Sequence, residues 1–404
     1  MDNNLEMLIE FLVELVSVAA VIVGIALGIQ KHYIYFLVTV LGFVTIFIYQ
    51  RIKRRIKDKK IKEILKEQWG KERNTKRDFS KIRELYDFLI RRENFHFTID
   101  DITWSDLDMD LVFSKLDHTM SLPGMQYLYH MLRLPVYKED FLKKRNKTIN
   151  MLMENKALSN RLQFPLFILG KEKGEDIIKF FDKGINVDTR PLIIYRLLSF
   201  LPLVGIALLF YDIGIGFIAI MFIVSTNLFF NNKNKRAINL EIENFKYIGD
   251  LILCAESIVK SGIGEIELVH KEMEEVLKEL KALKKNILKL RYNDSYRSEM
   301  EIIIDYLNML VLREPKIFYK TVSLLNIHRE DLLSLYIMIG QIDAYISVAS
   351  YKSSLRYYIE PSLKENHGFY LYAEKIYHPL LEEPVPYTVE LNNRGALITG
   401  SNAS

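Results

Sequence analysis

Cysteine is almost missing. Cys254 is the only one in 404 residues, which excludes an intrachain disulfide framework and any multi-cysteine zinc or iron–sulfur site, and a reducing compartment is the natural reading. An excess of charge of one sign is missing too: 55 basic residues nearly balance 51 acidic ones, so total charge singles out no class of partner and only its placement is informative. Glycine and proline are both absent between Gly264 and Pro315, a stretch that nothing in the local chemistry would interrupt as helix. Low-complexity tracts and internal repeats are lacking as well. Half of the residues are apolar and 26% charged. That composition is too apolar for a disordered chain, and slightly too apolar for an ordinary cytosolic enzyme.

The apolar excess is concentrated. Residues 15–30 carry no charge, and after Lys31 the run 32–50 has no ionic residue beyond the neutral His32. A membrane span needs about 20 mostly apolar residues, so the first span extends back over residues 11–14 and places Glu14 near the headgroups. A cleaved signal peptide is the competing reading, but a basic n-region is missing and a second apolar run follows at once. A second pair of runs occupies 191–211 and 213–232, parted by Asp212 and flanked by Gly214 and Gly216. Arg196 and Pro202 within the first of these keep open a buried soluble helix.

Basic residues set the expected orientation. Arg51, Lys53, Arg54, Arg55, Lys57, Lys59 and Lys60 follow the second run, against Lys31 in the first turn; Lys233, Lys235 and Arg236 follow the fourth, against none beside Asp212. By the positive-inside rule both hairpins dip outward and return, which puts the soluble parts on the cytoplasmic side of a multi-pass inner-membrane protein. The basic run 51–60 reads first as a topology signal, with anionic lipid or nucleic acid as further options.

In the soluble parts, Ile82, Leu85, Leu89 and Ile90 repeat at helical spacing and predict a helix over 79–92. Five carboxylates between Asp100 and Asp110 invite a hard-cation site, but helical placement spreads them, and Thr103 with Asp106 has capping-box spacing. Ile266, Val269, Met273, Val276, Leu280, Leu283, Ile287 and Leu290 alternate spacings of three and four, the seam of an antiparallel helix pair or coiled coil: an arm, a lever or a dimer contact. A further helix is expected over 298–312, and another through 332–355. After Pro361 the character changes. Phe369, Leu371 and Ala373 alternate as in a strand, 388–391 reads as a second strand, and 396–399 as a third that runs into Gly400-Ser401-Asn402-Ala403-Ser404. His118 and His130 are placed on a helix and His378 in a loop, none with metal-ligand spacing, while Cys254 in an apolar helix and Trp104 read as packing residues.

A strand ending in glycine and a small polar loop is the first half of G-x-x-x-x-G-K-[ST], whose backbone N–H groups cradle phosphate. Gly400 is the first glycine and 401–404 fill the variable positions; the second glycine, the lysine and the hydroxyl residue would be 405–407. Residues 397–404, preceded by His378-Pro379-Leu380-Leu381, resemble the opening of the Walker A loop of the MutS family of mismatch-repair ATPases. Leu116-Asp117-His118-Thr119 with Gly124, Leu128, Leu132 and Pro135, then Arg145 and Ile149, resembles the start of that family's core domain, and Asp343-Ala344 and Pro361 match landmarks of its returning core helices. The resemblance spans about 100–404, with the hairpin 191–232 inserted.

Together with the four apolar runs, that resemblance implies a mainly α fold: four transmembrane helices and a MutS-like helical core and lever region, ending in a few β-strands that begin a truncated P-loop α/β ATPase domain. The implied divisions are a transmembrane hairpin over 1–50, a basic linker and helix over 51–100, the first part of the core over 101–190, the second hairpin over 191–232, core and lever helices over 233–360 and the start of the ATPase domain over 361–404. It implies a membrane-anchored relative of ATP-dependent, mismatch-repair DNA-binding proteins, dimeric through core, lever and ATPase regions, with ATP and Mg2+ as cofactors of the complete protein. Gly400 and Asn402 match the loop; Ser401 and Ala403 replace the proline and methionine usual there. No Phe-x-Glu mismatch reader occurs in the sequence. Without the loop lysine and hydroxyl, residues 1–404 are expected not to hydrolyse ATP. The alternative is a non-catalytic membrane scaffold whose helical arms bind a partner or a second copy.

Overall fold

A computed structural model describes residues 32–71, 77–174, 176–262, 267–291, 311–363 and 368–396, with Asn308 and scattered positions between 16 and 30. The expected first span is described only at scattered positions between 16 and 30, which are helical, and the helix over 298–312 for most of its length and the strand over 397–399 lie outside the described residues. The chain divides into two compact units, Met1–Trp69 and Gly70–Ser404. Among the described residues the protein is mainly helical, with two strands.

In the first unit the second apolar run and the basic run that follows it form one uninterrupted helix, α1 (Phe36–Glu67), entered through a 3-10 turn at Tyr33–Tyr35. No glycine or proline falls after Gly42 to stop it.

The second unit begins with a helical turn, Phe79–Ile82, and α2 (Glu84–Arg92), broken from each other only at Arg83. Then come α3 (Asp101–Asp106), α4 (Met109–Leu116), α5 (Leu122–Arg133), α6 (Glu139–Glu154), α7 (Lys156–Leu169) and α8 (Ile177–Lys183). The cap of α3 is Asp100, whose carboxylate accepts from Thr103 N at 2.7 Å, so the N-cap lies three residues before the Thr103 that the spacing suggested. Two short helices, α9 (Pro191–Leu198) and α10 (Leu201–Tyr211), meet at a break that puts Pro202 in a first turn, where its missing N–H is harmless. The 48-residue α11 (Ile213–Lys260) returns antiparallel to α10 and runs on about 72 Å at 1.5 Å per residue.

The predicted seam is split into α12 (Glu267–Glu279) and α13 (Lys281–Arg291), bent at Leu280. Met273, Leu280, Leu283, Ile287 and Leu290 are buried, and both helices pack on α11, with α13 also against α14 (Arg313–Ile327). Lys284 Nζ meets Glu256 at 2.6 Å across that pairing. The antiparallel partner of the seam is therefore α11 of the same chain. Pro315 does not end a helix but lies in the first turn of α14. Helix α15 (Arg329–Ser354) threads the centre of the unit and touches α5, α6, α7, α12 and α14.

Among the described residues, four helical stretches are long and apolar enough to cross a membrane: Tyr33–Glu67, Pro191–Tyr211, Ile213–Asn232 and Arg329–Ser354. Their surroundings separate them. The apolar window of Arg329–Ser354 is 78% buried inside the protein, against 11% for Pro191–Tyr211 and 17% for Ile213–Asn232. Leu203, Phe210, Ile213, Phe217, Ile218 and Phe222 all stand exposed on the α10–α11 hairpin. At about 1.5–3 kcal/mol per large apolar side chain, leaving six of them in water forgoes on the order of 10 kcal/mol, comparable to the net stability of a whole domain.

The last elements are β1 (Tyr370–Ile376) and β2 (Tyr387–Asn392), antiparallel with a register irregularity between Ala373 and Ile376. The sequence alternation predicted both. Tyr370, Leu371, Tyr372 and Tyr387 are exposed on this two-stranded sheet.

Candidate functional site

Gly400, Ser401, Asn402, Ala403 and Ser404, the expected phosphate-loop residues, lie outside the described residues. Of the strand expected to run into them, 397–399 lie outside the described residues too; β1 and β2 precede it. What the structure does bring together is the other set of singled-out residues, from Leu116 to Gly124 and Asp343.

Helix α4 ends at Leu116 and α5 starts at Leu122, capped by Ser121 Oγ, which accepts from Gly124 N at 3.2 Å, with Pro123 in the first turn. The tight connection between them is clamped by α15. Asp343, fully buried at the middle of α15, accepts from Met120 N at 3.0 Å, Ser121 N at 2.8 Å and Ser121 Oγ at 2.6 Å. These partners are separated by 223 residues for Met120 and 222 for Ser121. Glycine makes the approach possible: a Cβ on Gly124 would overlap the Asp343 carboxylate, and one on Gly340 would come within 2.6 Å of Pro123 O. Farther along α15, Ser347 Oγ donates to Leu116 O at 2.7 Å and accepts from His118 N at 2.7 Å, while His118 Nδ1 meets Ser350 Oγ at 2.8 Å. His118 is thus in the connection, not on a helix as its sequence neighbourhood suggests.

Asp117 faces the other way. Its buried carboxylate pairs with Arg77 Nε at 3.0 Å and Lys171 Nζ at 2.9 Å and accepts from Thr119 N and Oγ1. Lys171 is delivered by the end of α7, where Gly170 O accepts from Leu122 N at 2.9 Å. Burial pushes both carboxyls up. For Asp117 the two cations and the Thr119 hydroxyl outweigh it and hold the group below the usual carboxylate range. For Asp343, Ser121 and the two backbone donors only partly offset burial, and its pKa is pushed up to about 6. With every oxygen engaged, this joint has no open position for a reacting group. It is a positioning device that ties the α4–α5 connection, α7 and α15 into one block.

A second feature is a cleft of about 340 Å³ lined by residues of α3, α4 and α5, Trp104, Asp110 and Arg133 among them. Arg133 is buried, stacks 4.3 Å from the Trp104 ring, and donates to Ile99 O, Tyr129 Oη and Asp101. Trp104 Nε1 donates to Asp110 at 2.8 Å. The cleft's strongest groups are thereby paired with each other. Among the described residues no group of three or more His, Cys, Asp or Glu side chains could hold a metal ion, and the carboxylates of the 100–110 segment are dispersed as capping, ion-pairing and surface groups. Cys254 is buried on α11, where burial raises its thiol pKa. His130 is half-buried against Tyr86, Phe95 and Tyr127, and desolvation lowers it to about 4, so it is neutral packing.

No family model matches this chain, and no curated protein or solved structure does. The residues and their arrangement therefore carry the functional argument. Sequence reasoning singled out Asp117, Thr119, Gly124 and Asp343 but missed Arg77, Lys171, Ser121 and Ser347. Arg77, Lys171 and Ser121 lie outside helices, where no periodicity marks them, and Ser347 is one small polar residue on the long α15, whose partner across the chain no local signal gives.

Proposed function

We propose that this chain is the membrane anchor, core and lever part of a MutS-related protein, with the nucleotide-binding domain begun but not completed by Ser404. The observation that carries the reading is the joint: two segments matching that family's core landmarks, Leu116–Gly124 and Asp343, meet through four buried hydrogen bonds. The uncovered β1–β2 sheet supports it further. Two strands alone are marginal in water and gain stability from added strands or helices, as an α/β domain growing from this point would supply.

In this reading the α10–α11 hairpin and the apolar half of α1 cross the inner membrane, and the core and levers face the cytoplasm. The 48-residue α11 joins membrane and core without a break. Of a phosphate cradle the chain has only Gly400 and the variable positions through Ser404; the residues that would hold ATP·Mg2+ are not among them, so no step of hydrolysis is assigned to these residues. DNA is the expected partner of the complete protein, as a dimer.

The test is binding of labelled duplex DNA to the detergent-solubilised chain across a salt series, together with its sedimentation. A steep decline of affinity with salt supports nucleic-acid contact through phosphates. Dimerisation without DNA affinity supports the second reading, a non-catalytic scaffold, which the exposed Tyr370, Leu371 and Tyr387 of the sheet also favour. ATP turnover by residues 1–404 would contradict the proposal in either case.

A further inference from the structure

The basic half of α1 carries a pattern that a topology signal alone does not require. Over residues 51–62 there are eight basic residues and one acid, Asp58. Through the same stretch an apolar ridge continues out of the apolar half: Ile48, Ile52 and Ile56, spaced four apart, are 50%, 49% and 51% exposed. Neighbouring positions on a helix lie about 100° to either side. Arg51, Arg55 and Lys59 therefore flank the isoleucine ridge on one side and Lys53 and Lys57 on the other, while Lys60 takes the ridge position after Ile56, all six exposed.

We propose that residues 51–60 of α1 are a binding surface for anionic phospholipid headgroups, with Ile52 seated within the headgroup layer, Ile56 at its outer edge and the two basic ridges reaching phosphates on either side. The proposal rests on the membrane placement of α1 given above. With the apolar run ending at Gln50, residues 51–55 rise about 1.5–8 Å beyond it, the depth of one headgroup layer, which is about 5–7 Å. Residues 57–60 then fall within roughly one Debye length, about 8 Å, of the charged surface. Long basic stems snorkel from an apolar seat in this way. A nucleic acid would satisfy the two basic ridges but would leave Ile52 in water, and that difference decides between the two polyanions.

The test uses the full chain in nanodiscs of phosphatidylcholine with a minority of phosphatidylglycerol, followed by mild extraction and mass-spectrometric counting of retained lipids. Phosphatidylglycerol is expected to be enriched about three-fold or more over its bulk share at about 0.05 M salt, falling toward its bulk share at about 0.5 M. The variant Arg55→Gln/Lys57→Gln/Lys59→Gln/Lys60→Gln loses most of the enrichment. Ile52→Ser/Ile56→Ser keeps every charge, and so the orientation signal, yet loses part of it. Retention at the bulk ratio by the unaltered chain at low salt overturns the proposal, as does undiminished enrichment in the glutamine variant. Loss of duplex-DNA binding in that variant with lipid enrichment intact also overturns it, and assigns the stretch to nucleic acid. Alkaline carbonate extraction separates the two levels: release of the chain from membranes removes the membrane reading itself, whereas a membrane-retained chain without lipid preference removes only this inference.

Discussion

Two buried aspartates at one joint respond to pH in opposite directions. Asp343 has its pKa raised to about 6, so the folded protein holds that proton more tightly than the unfolded chain. Its stabilising contribution is complete below about pH 4 and is lost as pH rises through about 6, an effect on the order of 2 kcal/mol. Asp117 is held below the usual range; its contribution is present above about pH 4 and is lost on further acidification. Thermal melts of Asp343→Asn against the unaltered protein should show a larger deficit at pH 4.5 than at pH 7, since the variant lacks the proton-linked gain. A deficit that is constant with pH contradicts the assignment. The roles of Asp117 and Asp343 were only half legible in the sequence. Their types and order stood out, but the partners that fix their ionisation, Lys171 and Arg77 against one and Ser121 against the other, are set by tertiary packing. The same holds for Arg133, whose burial over Trp104 follows from the crossing of α3 and α5 and leaves no periodic trace.

At the scale of elements, run length and alternation were good guides, and surroundings were not. Both strands and the helices over 79–92 and 332–355 follow from spacing. The apolar seam is real, but its partner is α11, a helix that the sequence presents chiefly as a membrane run. Hydropathy alone ranks Arg329–Ser354 with the spans, yet its neighbours bury it; Asp343 at its centre is satisfied by donors that lipid could not supply. The α10–α11 turn at Asp212 offers a direct check. Asp212→Cys in intact cells should react with a membrane-impermeant maleimide, while Lys278→Cys on α12 should react only after permeabilisation; the reverse pattern contradicts the proposed orientation. The sheet offers another. β1 and β2 contact each other far more than they contact the helices, their links to them including Tyr357 Oη to Lys375 O and Lys115 Nζ to Pro379 O. Removing residues 365–404 should therefore shift the melting temperature of the helical core by no more than about 2 °C, a shift of under about 1 kcal/mol for a unit this size. A much larger drop would make the sheet an integral part of the core.

For the whole molecule, the α10–α11 hairpin is continuous with the core through α11, and at its other end Tyr195 of α9 stacks on Tyr319 of α14 at 5.5 Å. The α9–α11 insertion is thus braced against the core at both its ends, so with the proposed membrane placement movement of the core would be felt at the bilayer. The proposed function stands or falls with the tail after β2 as the first half of a triphosphate loop grown on such a core. The genomic DNA immediately downstream of the codon for Ser404 reads this out most directly. Codons for glycine, lysine and then serine or threonine are expected there, in one of the three frames. An unrelated reading in all three contradicts the proposal.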